Sequence, residues 1–480
     1  MMRTSTFRLS GEFIAESCGG VLVLGEGVVA ESGVAIDSRT AQPKEAFVAI
    51  RGQRHDGHAF LEHALARGVV GLVVERHAAE QAVQAAKAAA QPVFVVVVED
   101  TTRALTTLAA AWVSVLQPKV VAITGSVGKT TTKDLCAAVL GARHAVHATT
   151  GNHNNALGLS LTCLKLLPVH EILVAEMGMS GLHELRDLCR IAPPQVGVVT
   201  AVAPVHLEQL GTLEAVRDAK AEVVESLPDD GVAVLNRDDP YVMTMTTRTR
   251  ARVVTFGSAA DADVRVVAVD VGPDGRAQVR LHARGEEALA RLWLIGRHHA
   301  QNAAAAAAVG VVLGVPLAEA CQAMEQVRPG RHRMETVTVG TLRILDDCYN
   351  ASPRSVSAAL RVLAEIPTGG RRVAVLGDML ELGDATASAH LEAGREAAKA
   401  GVGCLLAVGR NADLVRQGAM EAGLASAATF VAPDAIAAAS VALAIIRPRD
   451  TVLVTGSRGV GLEHVVEALA GRFAFGVEGN

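Results

Sequence analysis

The stretch Val120-Val-Ala-Ile-Thr-Gly-Ser-Val-Gly-Lys-Thr-Thr-Thr-Lys-Asp134 decides the fold of the chain around it. A run of β-branched and apolar residues reads as a buried strand, Gly125 to Gly128 as a tight turn, and Lys129 onward as a helix. Strand, glycine turn and helix N-terminus in that order form a cradle of backbone N–H groups aimed at an anion. Lys129 is placed to reach the outer phosphates of a nucleotide, and the Thr130 hydroxyl to sit on Mg²⁺. The spacing is short. A common phosphate loop carries its first glycine where this chain has Ile123, so the motif here is Gly125-x-x-Gly128-Lys-Thr.

Working outward, strands are expected at 119–124, 172–177, 196–200, 232–236 and 252–256 with helices between most of them, the pattern of a parallel sheet covered on both faces. Asp263 to Asp270 and Gln278 to His282 alternate like antiparallel strands, and Asn302 to Leu313 reads as an Ala-rich helix. Upstream, short strand and helix signals alternate. Downstream, strands at 343–347, 372–376, 404–408 and 451–455 alternate with helices, a second doubly wound pattern. The reading is an α/β protein of three units: 1–100, 101–328 with the phosphate loop, and a Rossmann-like 329–480.

Composition bounds the function. The 480 residues are half apolar but only 3% aromatic, so Ala, Val and Leu must fill the cores. A net charge of −5 and the lack of a Lys/Arg-rich arm argue against nucleic-acid binding. Seven scattered cysteines without a Cys-x-x-Cys pair suggest reduced thiols and a cytoplasmic protein. Met1 to Gly11 has no apolar core of signal-peptide length, and Pro92 to Val98 is too short to span a bilayer, so no membrane insertion is expected.

Further candidates stand at strand ends. Glu176 follows Ile172-Leu-Val-Ala175 and could share Mg²⁺ with Thr130; it also fits a solvated loop glutamate. His206 follows the strand near 196–200 and points to the same edge. Lys220, in Arg217-Asp-Ala-Lys-Ala-Glu222, reads by itself as an ordinary surface lysine on a helix. Thr149-Thr-Gly-Asn-His-Asn-Asn155 fits either amide recognition of a polar substrate or turn chemistry alone. Arg331, Arg333, Asp346 and Asp347 at the start of the third unit fit nucleotide binding or a structural ion-pair cluster. His55, His58, His298 and His299 read as polar loop residues rather than metal ligands.

Together these motifs resemble the Mur ligases, over essentially the whole chain, with the folylpolyglutamate synthases as distant relatives. The resemblance implies ATP-dependent amide-bond formation through an acyl phosphate. It implies ATP contacts at Gly125, Ser126, Val127, Gly128, Lys129, Thr130, Thr131, Asn302, Arg333 and Asp347. It further implies two Mg²⁺ held by Thr130, Glu176, His206 and a carbamylated Lys220, with Lys129, Lys220 and His206 as the catalytic set. The Asn-rich loop, Glu176-Met-Gly-Met179, Asp346-Asp-Cys-Tyr-Asn-Ala-Ser-Pro353 and Leu376-Gly-Asp-Met-Leu-Glu-Leu-Gly383 are similar to the branch that joins D-alanyl-D-alanine to a UDP-N-acetylmuramoyl-tripeptide. On that likeness Thr150, Asn152, Asn154, Asn155 and Ser180 are substrate residues. So are Asp37, Ser38 and Arg39, which with Phe47 to His58 resemble the family's UDP-sugar unit. The Asp-Asn-Pro-Arg tetrapeptide of the sister ligase that adds a diamino acid is absent. His299 departs from the family pattern, which usually has Asn there. A monomer is expected. The alternatives are that sister ligase or, from another class, a phosphate-loop nucleotide switch.

Overall fold

The computed structural model describes residues 7–52 and 55–474. Three α/β units follow one another. In the first, a sheet runs Val21–Leu24, Phe94–Val98, Gly71–Glu75, Ala46–Val48, Val34–Ala35; its first pair is antiparallel and the rest are parallel. Gln53 and Arg54, inside the stretch likened to a UDP-sugar unit, lie outside the described residues.

The second sheet has nine strands. Lys119–Thr124 lies between Ile172–Glu176 and Val196–Val199, all parallel, and Val232–Asn236, Arg252–Gly257 and Val264–Val271 extend the parallel side. The apolar runs Val-Val-Ala-Ile, Ile-Leu-Val-Ala and Val-Gly-Val-Val are buried along their lengths, as strands covered on both faces must be. One face packs on helices that include Thr101–Leu116 and Leu213–Glu225, the other on Lys129–Gly141 and His299–Val312. The alanines of His299–Val312 let it lie close to Lys129–Gly141: a β-carbon on Gly310 would fall 2.5 Å from Val139 Cγ1.

At the far edge Val264–Val271, Arg276–Ala283 and Glu286–Ile295 form an antiparallel meander. The sequence pattern supplied two of these strands and missed the third. Helix Thr101–Leu116 packs within a core that runs on into the first sheet, and Trp112 Nε1–H donates to the Leu166 carbonyl at 3.0 Å.

The third sheet runs Glu335–Val339, Leu342–Asp347, Thr451–Thr455, Arg372–Gly377, Cys404–Val408, Thr429–Ala432, parallel except for its first pair. Separate apolar clusters cover its two faces, the doubly wound arrangement the alternating pattern predicts. All seven cysteines are unpaired. Among the described residues no helix is long and apolar enough to cross a membrane.

Candidate active site

A cavity of about 860 Å³ lies where the C-terminal strand ends of the second and third sheets face each other. Open α/β sheets bind ligands at that edge. The glycine turn forms one wall. Gly125 has φ +146°, and a β-carbon there would fall 1.9 Å from Thr200 Oγ1. Gly128 has φ +84°, and a β-carbon there would fall 2.5 Å from Asn302 Oδ1. Glycine is therefore required at both places by backbone and by space.

The turn is tied to the next strand. The Ser126 amide donates to the Ala201 carbonyl at 2.8 Å, and its hydroxyl donates to the Ala203 carbonyl at 3.1 Å. Thr200 Oγ1 donates to the Val127 carbonyl at 2.6 Å. Ser126 is thus committed to holding the loop's shape. The first-turn amides of Lys129–Gly141 have no intrahelical acceptor and carry the positive end of the helix dipole toward the cavity. Lys129 Nζ lies across the turn and donates to the Gly125 carbonyl at 2.7 Å. Burial lowers its pKa, while the nearby Glu176 carboxylate opposes that shift.

Glu176 ends its strand directly beside Ile123 and is 2% exposed. Asn154 Nδ2 donates to its Oε1 at 2.9 Å. Its Oε2 is buried with no hydrogen-bond partner. A buried carboxylate oxygen without a donor is costly, and a hard cation would satisfy it. Lys220 is not the surface lysine its local sequence suggests. It is 2% exposed, on the inward face of Leu213–Glu225 with Val216 and Val223. Burial, and then the charge of Lys129, push its pKa well below the ordinary value. A buried amine so placed is held toward its neutral form. His206 takes a left-handed backbone, φ +55°, and Nδ1–H donates to Glu381 Oε2 at 2.5 Å. Burial lowers its pKa; the bond to Glu381 opposes this, and Lys220 and Lys129 add to it.

The third unit supplies the opposite wall. Arg333 stacks its guanidinium 3.8 Å over the Tyr349 ring. Asp347 accepts the Met334 amide at 3.0 Å, and desolvation raises its pKa to about 7 against the pull of Arg333. Asn302, from the helix start His299–Val312, accepts Thr132 Oγ1–H at 3.3 Å and has Nδ2 3.2 Å from His299 Nδ1. His299 is buried, as is His58 in the first unit, so neither is the polar loop residue expected. Burial pushes the His299 pKa well below its ordinary value, with His298 beside it adding to the shift, so the ring is held toward its neutral form.

The cavity lining thus brings together Ser126 to Thr131, Asn152, Asn154, Asn155, Glu176, Ser180, His206, Asn302, Arg333 and Asp347, with Lys220 buried behind. Asn155 spends its side-chain oxygen capping Ala156–Cys163 through the Gly158 amide. Ser180 is exposed at the rim, its amide on Glu184 Oε2. Thr150 is exposed and does not line the cavity. Asp37, Ser38 and Arg39 stand apart in the first unit. Asp37 and Arg39 pair at 2.6 Å with Arg39 81% exposed, and Ser38 is buried against His63 Nδ1. Their place, just past the strand Val34–Ala35, is the C-terminal edge of the first sheet. Glu381 and Tyr349 lie in motifs quoted from the sequence, but no local signal gave either a role; both emerge only from contacts across the fold.

A phosphate-loop sheet joined to a Rossmann-like unit, with carboxylate, imidazole and buried amine at their junction, defines the class of nucleotide-dependent ligases. Residues 32–113 match the domain described as Mur ligase family, catalytic domain; 123–310 the Mur ligase middle domain; and 332–458 the Mur ligase, glutamate ligase domain. The chain belongs to the Mur ligase family. It is 34% identical over 390 residues to the UDP-N-acetylmuramoyl-tripeptide--D-alanyl-D-alanine ligase of Bacillus subtilis, covering 81% of this chain and 82% of that protein. It is 36% identical over 467 residues to the ligase of that name from Mycobacterium tuberculosis, covering 91% of each. Among solved structures it superposes on MurF from Acinetobacter baumannii with a TM-score of 0.85 at 27% identity, over 98% of this chain and 100% of that one. MurF ligase from Thermotoga maritima in complex with ADP gives 0.76 at 26%, over 92% and 97%.

Proposed function

We propose that this protein joins D-alanyl-D-alanine to the terminal carboxylate of a UDP-N-acetylmuramoyl-tripeptide at the expense of ATP. The observation that carries the reading is the convergence of Lys129, Glu176, His206 and the buried amine Lys220 at one cavity edge, in a chain whose full-length relatives bear that ligase's name.

The substrate carboxylate attacks the γ-phosphorus of ATP, giving an acyl phosphate and ADP. The amine of the dipeptide then adds to the acyl carbon, and phosphate leaves as the amide forms. The first step brings two anions together. The amides at the start of Lys129–Gly141 and the Lys129 ammonium supply fixed positive charge where that repulsion is greatest. Arg333 and Asp347 reach the nucleotide from the third unit, and Asn302 from the helix beside the loop. The first unit, with Asp37, Ser38 and Arg39 at its strand ends, holds the UDP-sugar. Closure of the third unit over the site keeps water from the acyl phosphate.

The donor set suits Mg²⁺: the Thr130 hydroxyl and the unpartnered Glu176 Oε2 are hard oxygens, and His206 would hold a second ion. Bound there, Mg²⁺ would neutralise charge on the phosphates and the attacking carboxylate. Lys220 joins this set as a carbamate. Its neutral amine would add to CO₂ with loss of one proton, giving an anionic oxygen donor in a place where an ammonium would repel the ion.

The reading is tested by phosphate release from ATP with UDP-N-acetylmuramoyl-tripeptide and a panel of amines. Release that depends on D-alanyl-D-alanine is expected. Equal release without any amine would overturn the ligase reading, and release driven by a diamino acid with a UDP-dipeptide would transfer it to the sister enzyme.

A further inference from the structure

His206 follows a strand of the second sheet and Glu381 follows the strand Arg372–Gly377 of the third, so their bond crosses the junction between two units. A carboxylate only accepts, so the imidazole hydrogen sits on Nδ1 and the Nε2 lone pair is left free. That is the state a metal-ligating histidine needs, and a carboxylate on the other nitrogen is how such rings are fixed in tautomer and orientation.

The loop that carries Glu381 is anchored at each step. Asp378 accepts the amides of Arg410 and Asn411 at 2.8 and 3.0 Å. The Met379 amide donates to His390 Nε2 at 3.0 Å, and the Leu380 amide to Ser457 Oγ at 3.0 Å. Glu381 itself holds a left-handed backbone, φ +63°, and its side chain reaches His206 of the second unit. On the facing side, Gly383 packs its backbone against that of Leu207 and Glu208. A long, 48% exposed glutamate on so fixed a loop is built to meet its partner rather than to hold its own unit together.

We propose that Glu381 is a positioning residue for His206: it orients the ring as a metal ligand only when the third unit is docked on the second, so closure completes the metal site. This rests on the proposed role of His206 as a metal ligand. The full-length enzyme is titrated with Mn²⁺ in the presence of β,γ-methylene ATP and followed by electron paramagnetic resonance, which needs no turnover. Glu381→Ala is expected to weaken Mn²⁺ binding about tenfold, the lower end for loss of such a partner. Glu381→Gln, whose amide oxygen still accepts from Nδ1, should weaken it less. In the His206→Ala background, Glu381→Ala should add nothing.

Unchanged Mn²⁺ binding by Glu381→Ala, or equal loss with and without His206, would overturn the inference while leaving the metal role of His206 intact. If His206→Ala itself binds Mn²⁺ as the parent does, the metal assignment fails and this inference with it. Amine-dependent phosphate release by the parent enzyme reads the ligase assignment separately.

Discussion

Asn302 Oδ1 stands 2.5 Å from the place a β-carbon on Gly128 would take, so the helix start His299–Val312 and the phosphate turn touch through the absence of a side chain. Gly128 also holds φ +84°, where an L-residue costs about 1–2 kcal/mol. Gly128→Ala should therefore lose that much stability and push the first turn of Lys129–Gly141 away from Asn302. Nucleotide affinity should fall at least tenfold, read by calorimetric titration with ADP. Gly141→Ala, where a β-carbon meets nothing within 4 Å, is the control and should leave affinity unchanged.

Lys220 gives the second prediction. Its burial and the nearby Lys129 hold it toward the neutral amine that carbamylation requires. Lys220→Ala should lower amine-dependent phosphate release by about 10²–10³, the scale for loss of one preorganised electrostatic group. Short carboxylic acids that fit the vacated space should restore part of it. A variant of full activity, or a loss that acetate and propionate leave untouched while the fold is intact by circular dichroism, would count against the carbamate.

Asp347 gives a pH dependence whose sign is fixed. Its folded pKa, about 7, stands above the ordinary 3.8, so the folded chain holds a proton there that the unfolded chain has released. The stabilisation is complete below about 3.8 and is lost as pH rises through about 7. Asp347→Asn keeps an acceptor for the Met334 amide and carries no such proton. The melting temperature of Asp347→Asn minus that of the parent should therefore rise between pH 4 and pH 8. A flat difference would mean that Asp347 is well solvated.

How much of this was legible in the chain depends on how local each cause is. The glycine turn, Glu176 and His206 could be placed because a parallel strand announces itself as a short apolar run, and whatever follows it must stand at the ligand-binding edge. The strand Glu286–Ile295 could not: Glu-Glu-Ala-Leu-Ala-Arg-Leu is helix-forming by composition. It becomes a strand because Arg276–Ala283 offers it an edge and the core takes Ala290, Leu292 and Leu294. Lys220 looked exposed because its neighbours Arg217, Asp218 and Glu222 are charged. Its burial comes from the sheet packed on that helix face. Thr149 to Asn155 fits recognition or turn chemistry equally from its residues alone, and the fold divides the stretch between such uses. Thr150 faces outward, Asn155 caps a helix and Asn154 turns to Glu176, a division set by where the strand Ile172–Glu176 ends.

Asn154 carries the last prediction. Its Nδ2 is the hydrogen-bond donor on Glu176, at 2.9 Å from Oε1, while Oε2 is left facing no protein partner. The bond fixes which oxygen is held by the protein and which remains for a cation. Asn154→Ala leaves both oxygens without a protein donor in a buried place, at a cost of about 1–3 kcal/mol. The carboxylate is then free to rotate, and the Mg²⁺ concentration for half-maximal phosphate release should rise by about 10–100-fold, the range for removing such a support. Asn154→Asp sets a second carboxylate about 3 Å from the first. Two such groups share a proton rather than both ionise, so activity should acquire a new rise with pH that the parent lacks. A Mg²⁺ requirement that neither substitution moves would place the ion away from Glu176.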